Sequence, residues 1–294
     1  MLEKLKANYL FHRLLKRPDI RKAYKMVGPE DSWYDTISTV HRSLSEIHKI
    51  PHETLSITSH DGLTMKGIYY PKKGSTKTMI WVHGYTSHAE RESAFPGLFY
   101  RNLGFNVLIP YLRAHNISEG KYISFGALEQ MDLQAWVNKV NEVTPGGQIV
   151  IHGLSMGGGI TLFASNKEME NVKCLIADAP SISIANFFYY TALDICKDKD
   201  GKISNYAQRR FYKEFGIKAE DFDAREIIKE NNYPILLSAG SNEQMEEVFE
   251  ILSANNPKPT EVIILPGCSH GNGMYKQTEM YQKAIKSFLE TYLD

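Results

Sequence analysis

A chain of 294 residues is long enough for one large α/β domain, or one domain with a small insertion, and for a full-sized core. Its 34 basic residues equal its 34 acidic ones, so no general basic field points to nucleic acid. Cys174, Cys196 and Cys268 are far apart, odd in number and without a C-x-x-C pair, which gives no sign of a disulfide framework or a zinc site and fits a reducing compartment.

From Met1 to Lys25 the chain holds eight Lys or Arg against two acids, with Leu2, Leu5, Tyr9 and Leu14 interspersed. This is too polar for a signal-peptide core or a membrane span, so the expected location is the cytoplasm. The stretch reads as a helix packed on the body of the protein with a solvated basic face, contact with an anionic membrane surface being the alternative. Residues 1–50 are thus an N-terminal helical extension.

"TLSITS" and "LTMKGIYY" flank His60-Asp61-Gly62, a tight-turn signal, and predict an antiparallel hairpin. Six short apolar runs follow: "KTMIWVH", "FNVLIPY", "QIVIHGL", "KCLIADA", "YPILLSAG" and "EVIILPG". Segments with helical spacing lie between most of them, which predicts an α/β fold with a mostly parallel sheet covered on both faces. The core is expected over 51–180 and 234–294. The long interval 181–233 must carry its own structure and reads as a small helical cap over the strand ends, where open α/β sheets bind ligands. Its aromatic run Phe187, Phe188, Tyr189 would supply substrate-binding side chains.

The segment "IVIHGLSMGGGI" carries the chemistry. It fails as a P-loop, because Gly159 and Ile160 stand where Lys and Ser/Thr are needed, and Ser155 breaks the dinucleotide fingerprint. Gly153-Leu154-Ser155-Met156-Gly157 does fit G-x-S-x-G between a strand and a helix. So sharp a turn strains the serine backbone, needs small residues two positions to either side, and lifts the hydroxyl clear of the sheet. A serine hydroxyl needs a base, and His270 in "PGCSHGNGMY" lies just past the last predicted strand. His152 is expected to be a core residue. After His83, the useful group is the backbone N–H of Tyr85, completing an oxyanion hole with that of Met156.

The elbow, the upstream His83-Gly84 and the late His270 resemble the α/β-hydrolase superfamily over roughly residues 53–294. "YLRAHNISEGKYISFGALEQMDLQAWV" is similar to the RGHGxSEG segment of bacterial serine aminopeptidase-like and cell-surface hydrolases, with Ala114 and Asn116 in place of its two glycines. The resemblance implies an acid between Ser155 and His270 in chain order, in the loop after the next-to-last strand. Families of this kind show HGxxDxxVP there. This chain has "SAGSNEQMEE", which puts Glu243 at the position of the aspartate. A carboxylate at that place would orient the imidazole. Asp178 in "LIADAP" is the rival.

"CKDKDGKISNYA" places Asp198, Asp200, Gly201 and Ile203 at EF-hand spacing, but Cys196 and Ala207 occupy the first and last ligand positions, so an exposed polar turn is expected. The resulting expectation is a serine hydrolase that cleaves a carboxylic ester through Ser155, His270 and Glu243, with no metal or organic cofactor. A peptidase or acyl-aminoacyl hydrolase using the same residues, and a non-catalytic binding protein on the same fold, are the alternatives.

Overall fold

The computed structural model describes residues 2–19 and 31–293. Helix α1 (Leu2–Leu15) comes first, and α2 (Ile37–Ile47) follows a single 3-10 turn at Tyr34–Thr36. Next come β1 (Glu53–Thr58), β2 (Thr64–Tyr70), β3 (Lys77–Val82), α3 (Ala89–Asn102), β4 (Asn106–Pro110), α4 (Glu129–Val143), β5 (Gln148–Leu154), α5 (Met156–Phe163) and β6 (Val172–Asp178). Helices α6 (Ile184–Cys196), α7 (Lys202–Phe215) and α8 (Ala224–Ile227) separate β6 from β7 (Ile235–Gly240). The remainder is α9 (Glu246–Asn255), β8 (Thr260–Leu265), α10 (Gly273–Lys276) and α11 (Thr278–Tyr292).

Among the described residues eight strands form one sheet in the order β1-β2-β4-β3-β5-β6-β7-β8. The hairpin β1–β2 is antiparallel and joins β4 antiparallel, and from β4 through β8 all neighbours are parallel. The predicted hairpin and six apolar runs are these strands. Their side chains alternate between two apolar layers, as pleating requires. Ile80, Val82 and Ile151 face the layer containing Trp136 of α4, Ile160 of α5 and Phe249 of α9. Met79, Trp81 and Val150 face Tyr100 of α3 and Ile285 and Phe288 of α11.

Leu10, Phe11 and Leu15 bury one face of α1, and the Phe11 ring meets those of Tyr122 and Phe215. The last part of the predicted basic stretch, residues 20–25, lies outside the described residues. Among the described residues no helix is long and apolar enough to cross a membrane.

Two details of the helical interval differ from expectation. Asp198 is buried, and its carboxylate accepts the Ile203 and Ser204 N–H groups at 3.0 and 2.8 Å. It caps the start of α7, where the first N–H groups have no helical partner, and so does not sit in an exposed turn. In α6 the buried stripe is Ile184, Phe188 and Ala192, four residues apart. Adjacent aromatics therefore point in different directions: Phe188 is fully buried against Phe211, while Tyr189 faces out beside Tyr190.

In the loop after β4, the Arg113 guanidinium lies buried between Asp132 on α4 and Asp61 of the hairpin turn. It donates to both oxygens of Asp132 at 2.8 Å and to Asp61 at 3.0 Å. Ala114 and Asn116, which stand in place of glycines, take φ of 60° and 43° and keep the left-handed backbone that glycine would adopt freely. Asp132→Ala would leave a buried cation without its main partner, and is expected to lower unfolding free energy by about 3–5 kcal/mol in urea titration. A loss below about 1 kcal/mol would show that water reaches Arg113 in the folded state.

Candidate active site

Strand β5 ends at Leu154, and the chain turns into α5 within one residue. Ser155 has φ 59° and ψ −116°, a strained conformation for a residue with a Cβ. Glycines make the turn feasible. A Cβ on Gly153 would lie 2.1 Å from the Gly157 carbonyl oxygen, and one on Gly157 would lie 1.8 Å from that of Val82. The Ser155 N–H donates to the Asp178 carbonyl at 2.8 Å, and the Ser155 carbonyl accepts the Ser181 N–H at 3.0 Å, so β6 and the segment after it hold the strained residue on both sides.

Beyond the end of β8, His270 faces this serine. Its Nε2 lies 2.8 Å from Ser155 Oγ, and its Nδ1 lies 2.5 Å from Glu243 Oε2. With the Nδ1 hydrogen given to the carboxylate, Nε2 accepts the serine hydroxyl. The other Glu243 oxygen accepts the Gly240 N–H at 2.9 Å. The hydrogen bond that His270 donates to Glu243 raises the pKa of the imidazole against the opposing effect of burial, and the charges of Glu243, Asp178 and Glu92 add to the rise. The acid and histidine loops are also joined directly. The Asn242 N–H donates to the Cys268 carbonyl at 3.0 Å, and a Cβ on Gly240 would meet that oxygen at 2.3 Å.

Asp178 has a different environment. It is buried, its carboxylate accepts the Tyr281 hydroxyl at 2.7 Å, and burial pushes its pKa up to about 6. Tyr281 also meets His152 Nε2 at 3.1 Å, and the other nitrogen of His152 meets the Tyr100 hydroxyl at 3.0 Å. Burial lowers His152 to about 3, so it is a neutral, fully bonded core histidine. Of the two carboxylates weighed from the sequence, Glu243 is the one against His270.

His83 is buried. Its Nε2 accepts the Leu112 N–H at 3.2 Å, which leaves the hydrogen on Nδ1, 2.9 Å from the Gly84 carbonyl. Because that carbonyl and the Tyr85 N–H belong to one trans peptide, fixing the first turns the second the opposite way. Met156 opens α5, so its N–H has no carbonyl within the helix to bond.

Beside Ser155 lies a cavity of about 350 Å³. Trp33, Ile37, Val40, Leu154 and Tyr275 form an apolar side, and Ser87, His88 and Arg91 a polar one. The Trp33 and Tyr275 rings are 5.6 Å apart, and Asn272 Nδ2 donates to the Ser32 carbonyl at 3.0 Å, which seats this segment on the histidine loop. Phe187, Phe188 and Tyr189 do not line the cavity, a correction to the sequence reading. Phe187 instead stacks on Phe125 with ring centres 3.7 Å apart, and the other two point into the core and into solvent. The residues at 33–40 fall in the N-terminal helical extension read from the sequence, with nothing there to say what they face.

The sequence pattern of the serine aminopeptidase S33 family matches residues 74–221. An uncharacterized protein of Bacillus subtilis strain 168, YqkD, is 26% identical over 242 residues, covering 81% of this chain and 79% of its own. Among solved structures, the esterase Pf2001 of Pyrococcus furiosus superposes with a TM-score of 0.67 at 23% identity, over 96% of this chain and 99% of that one. Est1E of Butyrivibrio proteoclasticus, solved with ferulic acid, gives 0.63 at 19% identity, over 81% and 98%. Fold, elbow and pattern agree, and the chain belongs to the serine aminopeptidase S33 family of α/β hydrolases.

Proposed function

We propose that this hydrolase is a serine esterase that cleaves a carboxylic ester through an acyl-enzyme. Ser155 attacks the acyl carbon while His270 takes its proton. The imidazolium returns that proton to the leaving alcohol, and Glu243 holds the ring and its charge. The Tyr85 and Met156 N–H groups stabilise the oxyanion. Water, activated by His270, then releases the acid. The observation that carries this reading is the unbroken hydrogen-bonded series Ser155–His270–Glu243 at the end of a strained elbow. The apolar side of the cavity supports an ester with an apolar acyl or alcohol group seated against Ile37 and Val40.

Hydrolysis of a ladder of p-nitrophenyl acyl esters, with matching anilides alongside, tests the chemistry. Ser155→Ala is expected to abolish turnover, and Glu243→Gln to lower kcat by about 10³- to 10⁴-fold, while Asp178→Asn stays within about tenfold of wild type. Turnover of anilides without esters would assign the site to amides, and equal inactivity of wild type and Ser155→Ala would remove the esterase reading.

The pH profile gives a second test. The neutral imidazole is the active base and its pKa is raised, so kcat/KM should fall on the acid side at a pH above the ordinary histidine value. Glu243→Gln removes the anion that favours the imidazolium and should move that limb to lower pH. An unmoved limb would show that another group controls it.

Cavity-filling substitutions test the pocket. Val40→Phe should reduce the ratio of kcat/KM for long over short acyl esters by about tenfold or more. An unchanged ratio would place the acyl chain elsewhere.

A further inference from the structure

We propose that Glu92 is a positioning residue for the reaction at Ser155: its buried carboxylate fixes the Gly84 backbone, so that the Tyr85 N–H stays aimed beside Ser155. The proposal rests on the esterase reading above.

Glu92 lies in the first turn of α3, where the helix dipole favours an anion. Its side chain runs beneath the loop after β3. Both carboxylate oxygens accept the Gly84 N–H, each at 3.1 Å, and Oε1 accepts the Trp81 indole N–H at 3.0 Å. The Ser87 hydroxyl adds a further bond. These donors belong to the loop that carries Tyr85 or to the strand just before it. A Cβ on Gly84 would lie 3.2 Å from Glu92 Oε2 and 3.3 Å from Ser155 Cβ, so the carboxylate and the nucleophile flank the same glycine.

That glycine needs restraint. A Cβ there would be crowded on both sides, and a residue without one rotates freely about both backbone bonds. His83 holds the carbonyl of Gly84 and Glu92 holds its N–H, so the peptides on either side of the glycine are both fixed. The Gly84 carbonyl also accepts the Ser87 N–H at 3.3 Å, so without Glu92 it is the peptide before the glycine that loosens, and the Tyr85 N–H loses part of its aim. A buried carboxyl is an expensive way to fill space, and burial pushes this one up to about 7 against the pull of its hydrogen bonds.

The charged and titratable groups around it are few. His270 faces Glu92 from the loop after β8, Tyr275 from α10, and Arg91 stands beside it on α3. His270 in turn faces Glu243, Asp178 and Glu92.

Two variants separate reach from charge. Glu92→Asp keeps the charge but draws it back from Gly84. It is expected to lower kcat about tenfold to a hundredfold with KM within about threefold, and to leave the acid limb of kcat/KM in place. Glu92→Gln keeps an acceptor within reach of Gly84 but removes the charge, and should retain several-fold more kcat than Glu92→Asp. Trp81→Phe, which removes one donor to the carboxylate, should lower kcat several-fold and serves if a Glu92 variant does not fold. Wild-type kcat in Glu92→Asp and Trp81→Phe overturns the proposal, as does a kcat in Glu92→Gln no higher than in Glu92→Asp. Loss of turnover in Ser155→Ala is measured in the same series. If the wild type is itself inactive the esterase reading fails, whereas an active wild type matched by the Glu92 variants overturns this proposal alone.

Discussion

One steric constraint governs the molecule: the backbone must leave β5 and enter α5 within a single residue while α5 presses against the end of β3. With the Gly157 α-carbon packed on the Val82 carbonyl, neither glycine of the turn has room for a side chain. Ser155 is therefore the one position there whose side chain points away from the sheet. The strain it carries is held by backbone hydrogen bonds to Asp178 and Ser181, which tie the turn to the neighbouring strand and the segment that follows it. Local propensity would not select this conformation, and the surrounding sheet imposes it.

The same sheet sets the other reacting groups. Strands β7 and β8 are adjacent and parallel, so the loops that follow them emerge side by side, carrying Glu243 and His270. The contact of Gly240 with Cys268 brings those loops close enough for a carboxylate to reach the ring. Behind the site, Tyr100, His152, Tyr281 and Asp178 form a buried hydrogen-bonded series across β5, β6 and the flanking helices. Each of its polar atoms would be a liability alone, and joined they lock the strands whose ends hold the chemistry.

Much of this was legible in the sequence because it follows from local rules. Alternation of apolar residues predicts strands, and glycines two residues either side of a serine predict the elbow. Two carboxylates remained open because choosing between Asp178 and Glu243 depends on which loop meets His270 in space, and local pattern says nothing of distances between loops. The aromatic run at 187–189 misled because neighbours on a helix point about a hundred degrees apart, so adjacent rings cannot share one surface. Ala114 and Asn116 looked like departures from a glycine pattern, yet the backbone there remains left-handed, with the Ala114 N–H bonded to the Glu119 carbonyl and the Asn116 carbonyl to Arg17. Glu92 gave no signal, since a glutamate in a first helical turn is ordinarily a solvated acid. Nothing local reveals that Ile37 and Val40 face a serine more than a hundred residues away.

The cavity beside Ser155 is assembled from two kinds of material. Ser155 and His270 stand in loops at strand ends that are shared with the whole sheet, whereas Ile37 and Val40 of the apolar side come from a short helix outside the sheet, whose leading segment is fastened to the histidine loop through Trp33 and the Ser32 carbonyl. Elbow and cavity wall are thereby carried by separable parts of the chain. Substitutions in the helix can reshape that wall without disturbing the elbow, so families built on this elbow can differ in the wall alone. Exchange of residues 33–47 between them becomes the natural unit in which preference is inherited or transplanted.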